Sequence, residues 1–283
     1  MYDVQGRTSV SGGRDTGSYG KLGERVWEQR ALEVGPHTEV YETRYAYDSF
    51  GRLQALTLPD GEQLDYAYDA GGNLTRIQGV KADKAAPHSV DQVYLAKLEY
   101  DKFEQRVFMA QGNGVKTTYA YDARTRRLAN LNAARKNGIP FQNLHYGYDD
   151  VGNILTLVNE VDVPRANVFG GPVSQTFRYD DLYRLTAASG RFADSPRSAH
   201  RYTLTMAYDR IHNITRKTQR HWLARGDKAQ DQRGTSYDWA YDYNPSGPGS
   251  QQPHAPTHIG ERRFTYDANG NQRGWTHDTR GLR

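Results

Sequence analysis

YAYDSFGRL at residues 45–53 recurs almost unchanged as YAYDAGGNL at residues 66–74. The shared pattern is an aromatic residue, any residue, Tyr-Asp, two variable residues, Gly, then Arg or Asn followed by an apolar residue. Further copies follow along the chain at irregular spacings, and the clear copies are 21 residues apart at their shortest (68 − 47). A recurrent unit of this length predicts a repeat protein built from one short supersecondary element.

Two aromatic side chains occupy alternate positions before each Asp, as in Tyr45 with Tyr47 and Tyr66 with Tyr68. A period of two places both rings on one face of a β-strand, whereas a helix would separate them by about 200°. The Asp carboxylate can accept a hydrogen bond from a backbone N–H two residues later, which ends the strand in a turn. The Gly three residues after Asp suits the left-handed position that closes a type I turn with a bulge.

A second turn signal separates the tight copies. It is Pro59-Asp60-Gly61 in one unit, Gly112-Asn113-Gly114 in another and Asn137-Gly138 in a third. Such runs between alternating apolar segments are strong hairpin signals. Each unit therefore contains two predicted strands and two turns, and the chain is predicted to be all-β, a long antiparallel β-meander of about two dozen strands.

The residues expected to build the repeat are the Tyr-Asp pairs and, in the clearest copies, the Gly of the turn. We predict a structural role for them, because each carboxylate has a local turn to cap and each ring has a neighbouring strand to pack against. These residues are Tyr47, Asp48, Gly51, Tyr68, Asp69, Gly72, Tyr121, Asp122, Tyr148, Asp149, Gly152, Tyr179, Asp180, Tyr208, Asp209, Tyr241, Asp242, Tyr266, Asp267 and Gly270.

This pattern resembles the YD repeat of the Rhs family of bacterial polymorphic toxins. It is also similar to the YD shells of insecticidal toxin complexes and of teneurins, and the resemblance covers nearly the whole chain. It implies a curled sheet that forms part of a spiral shell around a C-terminal toxin domain. Shell proteins of this kind carry an Asp-Pro-x-Gly core associated with self-cleavage. The sequence has no Asp-Pro dipeptide, so neither self-cleavage residues nor toxin activity carry over to it.

The resemblance thus implies a non-enzymatic wall segment, with residues 1–283 forming one repeat array that is a fragment of a larger shell. The implied partners are the rest of the shell and an enclosed C-terminal toxin domain, together with glycans and secretion-system components. The implied location is outside a bacterial cell, secreted or on its surface. The resemblance also implies a specialised secretion route, and no signal peptide is recognisable in the sequence.

Composition favours an open sheet over a closed core, since only 36% of residues are hydrophobic while the chain contains 21 Tyr, 8 Phe and 4 Trp. Lys and Arg number 37 against 33 Asp and Glu, and only Arg197–Arg233 is locally basic. A solvated face is therefore favoured over a nucleic-acid site. The absence of Cys excludes disulfides and thiol chemistry. No apolar run reaches the length of a membrane span.

Three alternatives stay open. In the first, exposed tyrosines stack on sugar rings in a carbohydrate-binding or adhesive module. In the second, an enzyme site lies in the insertions at 160–258. The third concerns the fold, since a β-propeller is also built from meanders. His254 and His258 have a zinc-like spacing without partner ligands, so no catalytic, metal or cofactor site is predicted. Pro and small residues predict an inserted loop at Ala187–Ala199, and residues 216–260 are expected to be the loosest part of the array.

Overall fold

The computed structural model describes residues 14–34, 37–82, 89–163, 170–195, 198–225, 228–243 and 252–277, and these residues form strands and turns. Every strand pairing within the two units described below is antiparallel, and each strand pairs with the next one along the chain, except that β16 pairs with both β17 and β18. The predicted all-β antiparallel meander is confirmed, with 21 strands among the described residues against the expected two dozen. The described part of the chain contains no helix with the length and apolar character needed to cross a membrane.

Contacts between Cα atoms divide the chain into two units, residues 1–119 with 133–139 and residues 120–132 with 140–283. The strands belonging wholly or mainly to the first unit are β1 (Arg14–Tyr19), β2 (Arg25–Val34), β3 (His37–Tyr47), β4 (Leu53–Thr57), β5 (Gln63–Tyr68), β6 (Leu74–Ala82), β7 (Ser89–Tyr100), β8 (Arg106–Gln111) and β9 (Lys116–Tyr121). Strand β10 (Leu128–Ala134) contributes residues to both units.

The second unit repeats the same hairpin arrangement. Its strands are β11 (Pro140–Tyr148), β12 (Ile154–Asn159), β13 (Val173–Tyr179), β14 (Leu185–Ser195), β15 (Ser198–Tyr208), β16 (Ile214–Arg225), β17 (Lys228–Asp231), β18 (Tyr237–Tyr243), β19 (Pro256–Ile259), β20 (Arg262–Tyr266) and β21 (Gln272–His277). The organisation of residues 1–283 as one array stays a prediction.

Each sheet is a single layer with one half-buried and one exposed face. Burial alternates residue by residue along β5 and β15, and the signature tyrosines Tyr68 and Tyr208 lie on the half-buried face. Among the described residues the buried hydrophobic side chains are only Leu95, Leu98, Ala133 and Ala188, and none of the large side chains is completely enclosed. Contacts between neighbouring strands therefore stabilise the fold, with little contribution from a central core.

The turn after each Tyr-Asp pair has the geometry that the sequence predicts. In the first clear copy, Gly51 N donates to the Asp48 carbonyl at 3.0 Å and Asp48 N donates to the Arg52 carbonyl at 2.9 Å. Gly51 adopts a φ of 75° in the left-handed region, and the strand register shifts between Ala46 and Tyr47. This is a type I turn closed by a bulge, and Gly is the residue that adopts its last position without strain.

Three copies of this turn place a residue with a Cβ in the left-handed position. Glu104, Tyr183 and His212 have φ values of 60°, 61° and 70°. Such a conformation costs about 1 kcal/mol or more outside glycine. The turn therefore forms even where the sequence opposes it locally, because the hydrogen bonds around it outweigh that cost.

The turns on the opposite edge of the sheet use the same backbone geometry. Leu58 N donates to the Glu62 carbonyl at 2.8 Å, Gly61 N donates to the Leu58 carbonyl at 2.9 Å, and Gly61 has a φ of 86°. The runs at 111–115 and 135–139 close in the same way. The second turn predicted for the repeat is thus confirmed at these three sites.

The predicted loop at Ala187–Ala199 is wrong, because β14 and β15 cover its described residues and pair from Ala187 with Thr205 to Ser195 with Ser198. Small residues form strands here because partners exist on both sides, which local composition does not reveal. The stretch expected to be loosest, 216–260, contains most of β16 and all of β17, β18 and β19, while residues 226–227 and 244–251 lie outside the described residues.

Candidate functional site

The Asp of each repeat organises the turn through one carboxylate oxygen. Oδ1 of Asp149 accepts hydrogen bonds from the backbone N–H groups of Val151 at 3.1 Å and Asn153 at 2.8 Å. The N–H groups of residues i+2 and i+4 make the same pair of bonds in several other repeats. The carboxylates involved are those of Asp48, Asp101, Asp180, Asp209 and Asp267.

The second oxygen of that carboxylate explains why Arg or Asn follows the Gly. Oδ2 of Asp149 accepts from the Asn153 side-chain amide at 2.7 Å, and Oδ2 of Asp48 accepts from the Arg52 Nε at 2.7 Å. Asn and Arg are interchangeable because each presents an N–H donor at the same place. The hydrogen bond from the Asn153 side chain, together with backbone N–H donors, holds the pKa of Asp149 below its usual value.

The second tyrosine of most repeats joins its hairpin to a neighbouring strand. The backbone ladder between β12 and β13 extends no further toward this edge than Thr156 opposite Thr176. Beyond that point the Tyr179 hydroxyl donates to the carbonyl of Ile154, the first residue of β12, at 2.9 Å. The Tyr179 side chain thus gives the Ile154 carbonyl the hydrogen-bond donor that the backbone ladder lacks at this point.

The same hydroxyl-to-carbonyl bond recurs in both units, and its acceptor is in each case the first residue of a neighbouring strand. That strand is the preceding one, except for Tyr243 in β18, whose acceptor begins β16. Partial burial raises the pKa of most of these tyrosines, including Tyr148, Tyr179 and Tyr208. The pairs are Tyr47 with Arg25, Tyr68 with Leu53, Tyr148 with Leu128, Tyr208 with Leu185, Tyr243 with Ile214 and Tyr266 with Pro256, at 2.8–3.1 Å.

Arginines at the position after the turn connect one repeat to the next. The guanidinium of Arg184 lies 4.8 Å from the ring centroid of Tyr208, and its Nη1 donates to the Asp209 carbonyl at 3.1 Å. Arg52 lies over Tyr68 at 4.6 Å. A single Arg therefore binds its own turn, the next tyrosine and, at Arg184, the next turn, which combines an ion pair with a cation–π contact.

One predicted pair, Tyr241 with Asp242, is assigned to the wrong register. Asp242 lies inside β18 opposite His258 instead of ending the strand, and the register shift falls between Asp242 and Tyr243. Tyr243 makes the hydroxyl-to-carbonyl bond, to the first residue of β16. The sequence holds a signal for this register that the letter match hides, since Gly247 follows Asn244 at the interval of the motif whereas Pro245 follows Asp242.

The turn at Asp122 is also irregular, because it contains one residue more than the others. Asp122 N donates to the Arg127 carbonyl, five residues on, and Arg126 takes the left-handed position with a φ of 61°. The Asp122 carboxylate still caps the turn through the N–H groups of Arg124 and Thr125. The extra residue moves the left-handed position from Thr125 to Arg126.

The signature tyrosines do not form the exposed ladder that the carbohydrate hypothesis assumes. Those that make the bond described above are half-buried, and their hydroxyls are already engaged with backbone carbonyls. Tyrosines with a largely exposed ring, such as Tyr183 at 60%, lie outside the signature. These rings therefore offer a sugar less surface than the exposed ladder that the hypothesis assumes.

Residues of the other candidate sites lie apart or have local partners. His254 Nδ1 is 2.7 Å from the Asn213 Oδ1, and His258 Nδ1 is 3.2 Å from the Thr257 hydroxyl, so the two histidines do not converge. His200 and His221 do meet, with 2.9 Å between Nδ1 and Nε2. Partial burial and His200 lower the pKa of His221. No group of three or more metal-ligating side chains occurs within the described ranges.

Comparison with known proteins explains the repeated turn. Residues 47–81 match the family model described as RHS Repeat. The chain is 34% identical over 165 residues to Toxin subunit YenC2 of Yersinia entomophaga, an alignment that covers 54% of the chain and 16% of that protein. It is 26% identical over 141 residues to Teneurin-4 of Mus musculus, covering 48% of the chain and 5% of that protein.

Solved structures show the same fold outside the matched RHS repeat. The crystal structure of TcdB2-TccC3-Cdc42 has a TM-score of 0.67 at 20% identity over 93% of the chain, which spans 14% of that structure's chain. The Photorhabdus luminescens Tc holotoxin pore has a TM-score of 0.65 at 20% identity, with 91% and 14% coverage. The resemblance to YD-repeat proteins is confirmed. The chain spans about a sixth of the length of the Yersinia toxin subunit.

We expect that Tyr179→Phe will lower the free energy of unfolding by about 1 kcal/mol, because it removes the hydroxyl that pairs with the Ile154 carbonyl. Denaturant titration followed by circular dichroism will measure the change. The matched control is Tyr183→Phe, whose ring is exposed, and it should leave the free energy unchanged. Equal effects of the two variants would show that the carbonyl bond contributes nothing.

A second prediction concerns acid. Because the pKa of Asp149 is lowered in the folded state, its contribution to stability is complete above the unfolded pKa of about 3.9 and disappears as the pH falls through the lower folded value. Asp149→Asn should therefore flatten the loss of thermal stability between about pH 5 and pH 2. Asp150→Asn, at an exposed neighbouring carboxylate, is the control and should keep the wild-type slope.

Proposed function

We propose that the chain is a non-enzymatic wall segment of an RHS-type β-shell, which encloses or presents a toxin domain. The observation that supports this most directly is the series of tyrosine–carbonyl bonds, which joins each hairpin to the strand before it. A wall built from successive hairpins needs an interaction that holds each hairpin to the strand beside it. The homology to Toxin subunit YenC2 supports the same role.

The small buried core also supports a wall. An enzyme or a compact binding domain of this length would enclose many large apolar side chains. The described residues bury four hydrophobic side chains, two of which are alanines. A single layer leaves both faces accessible, so that one can face a cargo and the other the solvent.

In this proposal the partners are further RHS repeats of the shell, an enclosed C-terminal toxin domain and components of a secretion system. The protein acts outside a bacterial cell, in a secreted or surface-bound form, and reaches that location by a specialised route. Nucleic acid has no part in this function.

Limited proteolysis of the full-length gene product that contains this stretch will test the enclosure. We expect a domain outside the repeats to resist protease as long as the wall is intact. The double variant Tyr179→Phe, Tyr208→Phe should expose that domain at a lower denaturant concentration, whereas Tyr183→Phe should not. A gene product without any non-repeat domain, or one whose extra domain is cleaved while the repeats stay folded, would contradict the proposal.

A second candidate function, binding of an acidic carbohydrate, is supported by a groove on the more exposed face of β14–β16. The groove measures about 510 Å³ and includes Arg191, Arg201 and Trp222 in its lining. Arg201 lies directly opposite Arg191 on β14 and opposite Trp222 on β16. Neither Arg191 nor Arg201 forms an ion pair with a carboxylate of the described residues.

The side chains that line this groove fit a sugar acid better than the side chains of the half-buried tyrosine face do. The Trp222 ring can pack on the C–H face of a sugar, and the two guanidinium groups can bind a carboxylate or sulfate. The hydroxyls of Ser189 and Thr203, which are opposite each other in the same lining, can pair with sugar hydroxyls.

Binding of sulfated and sialylated oligosaccharides on a glycan array will test this candidate. Trp222→Ala and Arg201→Ala should each abolish the signal, and Trp275→Ala, which removes another exposed Trp, should not. An array without signal, or a signal that survives both substitutions, would eliminate the groove as a glycan site.

A further inference from the structure

Two histidines come together on the half-buried face of the second unit, where β15 and β16 pair. Nδ1 of His200 lies 2.9 Å from Nε2 of His221, and the ring centroids are 5.1 Å apart. Both residues are half-buried, so dissolved ions and water can reach them. We call these two residues the histidine pair. Imidazole nitrogens are ligands that suit Zn²⁺, Cu²⁺ and Ni²⁺ alike.

The segment after β17 fixes the ring of His221. The Thr235 hydroxyl donates to the Gln232 carbonyl at 3.3 Å, which leaves its oxygen as the acceptor for Nδ1–H of His221, 2.6 Å away. The backbone N–H of His221 donates to the Ser236 hydroxyl at 3.0 Å. His221 therefore carries its proton on Nδ1, and the lone pair of Nε2 is directed at His200.

A stacked phenylalanine fixes the ring of His200. Phe192 lies opposite His200 in the β14–β15 ladder, with ring centroids 4.4 Å apart and an interplanar angle of 1°. The Phe192 centroid is also 6.1 Å from that of His221. Each imidazole is thus held by its own neighbours, so an ion that binds between them needs little further ordering of side chains.

The charges around the histidine pair favour a cation. Arg201 and Arg220 are next to the two histidines in sequence but are exposed on the other face of the sheet. Lys217 is on the same face as His221, four residues away, and its Nζ lies 5.8 Å from the ring centroid of Tyr237. The carboxylate of Asp231 supplies a negative charge close to His221. Among the described side chains, no cation therefore faces the pair directly.

We propose that the histidine pair binds one divalent transition-metal ion, represented here by Zn²⁺, through Nδ1 of His200 and Nε2 of His221. With tetrahedral Zn–N bonds of about 2.0–2.1 Å, the two nitrogens would lie about 3.3 Å apart, a movement of about 0.4 Å. The described residues place no third His, Cys, Asp or Glu in reach of this ion, so water completes its coordination. Thr235 has the role of the oxygen that accepts the other N–H of a ligating imidazole and orients the ring.

Binding exchanges the hydrogen bond within the pair for two metal–nitrogen bonds. His200 gives up the Nδ1 proton that it donates to His221 and carries a proton on Nε2 instead, so both imidazoles stay neutral and no net proton is released. The ion joins β15 to β16 at the end of this hairpin that is remote from the Tyr208–Asp209 turn. The proposed wall function does not use this site, and the proposal goes beyond it.

Isothermal titration calorimetry of the full chain with ZnCl₂ at neutral pH will test the proposal. We expect the wild-type chain to bind one ion in a saturable manner, and His200→Gln and His221→Gln each to abolish that binding. Thr235→Val, which removes the orienting hydroxyl, should weaken the affinity about tenfold. His258→Gln is the matched control, because Nδ1 of His258 faces the Thr257 hydroxyl, and it should bind as wild type does.

A second measurement does not depend on the folding of any variant. Electron paramagnetic resonance of the wild-type chain with one equivalent of Cu²⁺ should show hyperfine couplings from two imidazole nitrogens. Zn²⁺ should also raise the thermal unfolding midpoint of the wild type and leave that of His221→Gln unchanged, because an ion that binds only the folded chain stabilises it by mass action.

Four results would each overturn the proposal. They are a wild-type chain without saturable Zn²⁺ binding, binding of one ion that persists in both histidine-pair variants, loss of binding in His258→Gln, and a Cu²⁺ spectrum with fewer than two imidazole nitrogens.

Discussion

One hydrogen bond, from a tyrosine hydroxyl to a backbone carbonyl of the preceding strand, determines how this chain is held together. The ladder between successive repeats ends before it reaches the turn edge, as at Thr156 opposite Thr176. Without a substitute, the Ile154 carbonyl would lack a partner at a half-buried position. Tyr179 fills that role, and the same solution recurs at Tyr68 and Tyr208. The repeat is thus defined by a contact between hairpins as much as by the hairpin itself.

The motif is economical because each of its polar atoms has a separate task. One oxygen of Asp149 binds the backbone of the turn, and the other binds the side chain four residues on. Where that residue is Arg184 or Arg52, the guanidinium also packs on the tyrosine of the next repeat. Turn and strand contact therefore reinforce one another, which is why Glu104 and Tyr183 can hold a strained backbone conformation.

The strands and turns could be predicted from the sequence because their signals are local. The alternate rings of Tyr45 and Tyr47 define one face of a strand, and Gly51 defines the turn, all within nine residues. The acceptor of the tyrosine hydroxyl left no such signal, since it is a main-chain carbonyl that any residue provides. The error at Asp242 has a related cause. Both Asp242 and Asn244 follow a tyrosine, and only the interval to Gly247 distinguishes the two registers.

Strand lengths vary strongly along the chain, as the 5 residues of β4 and the 12 of β16 show. At roughly 3.3 Å per residue, β4 is about 17 Å long and β16 is about 40 Å long. Because the tyrosines align the hairpins at one margin, all of this variation appears at the other. Each unit therefore has one even edge, at the Tyr-Asp turns, and one uneven edge opposite it. Residues can be added or removed at the uneven edge during evolution without disturbing the tyrosine–carbonyl bonds that join the hairpins.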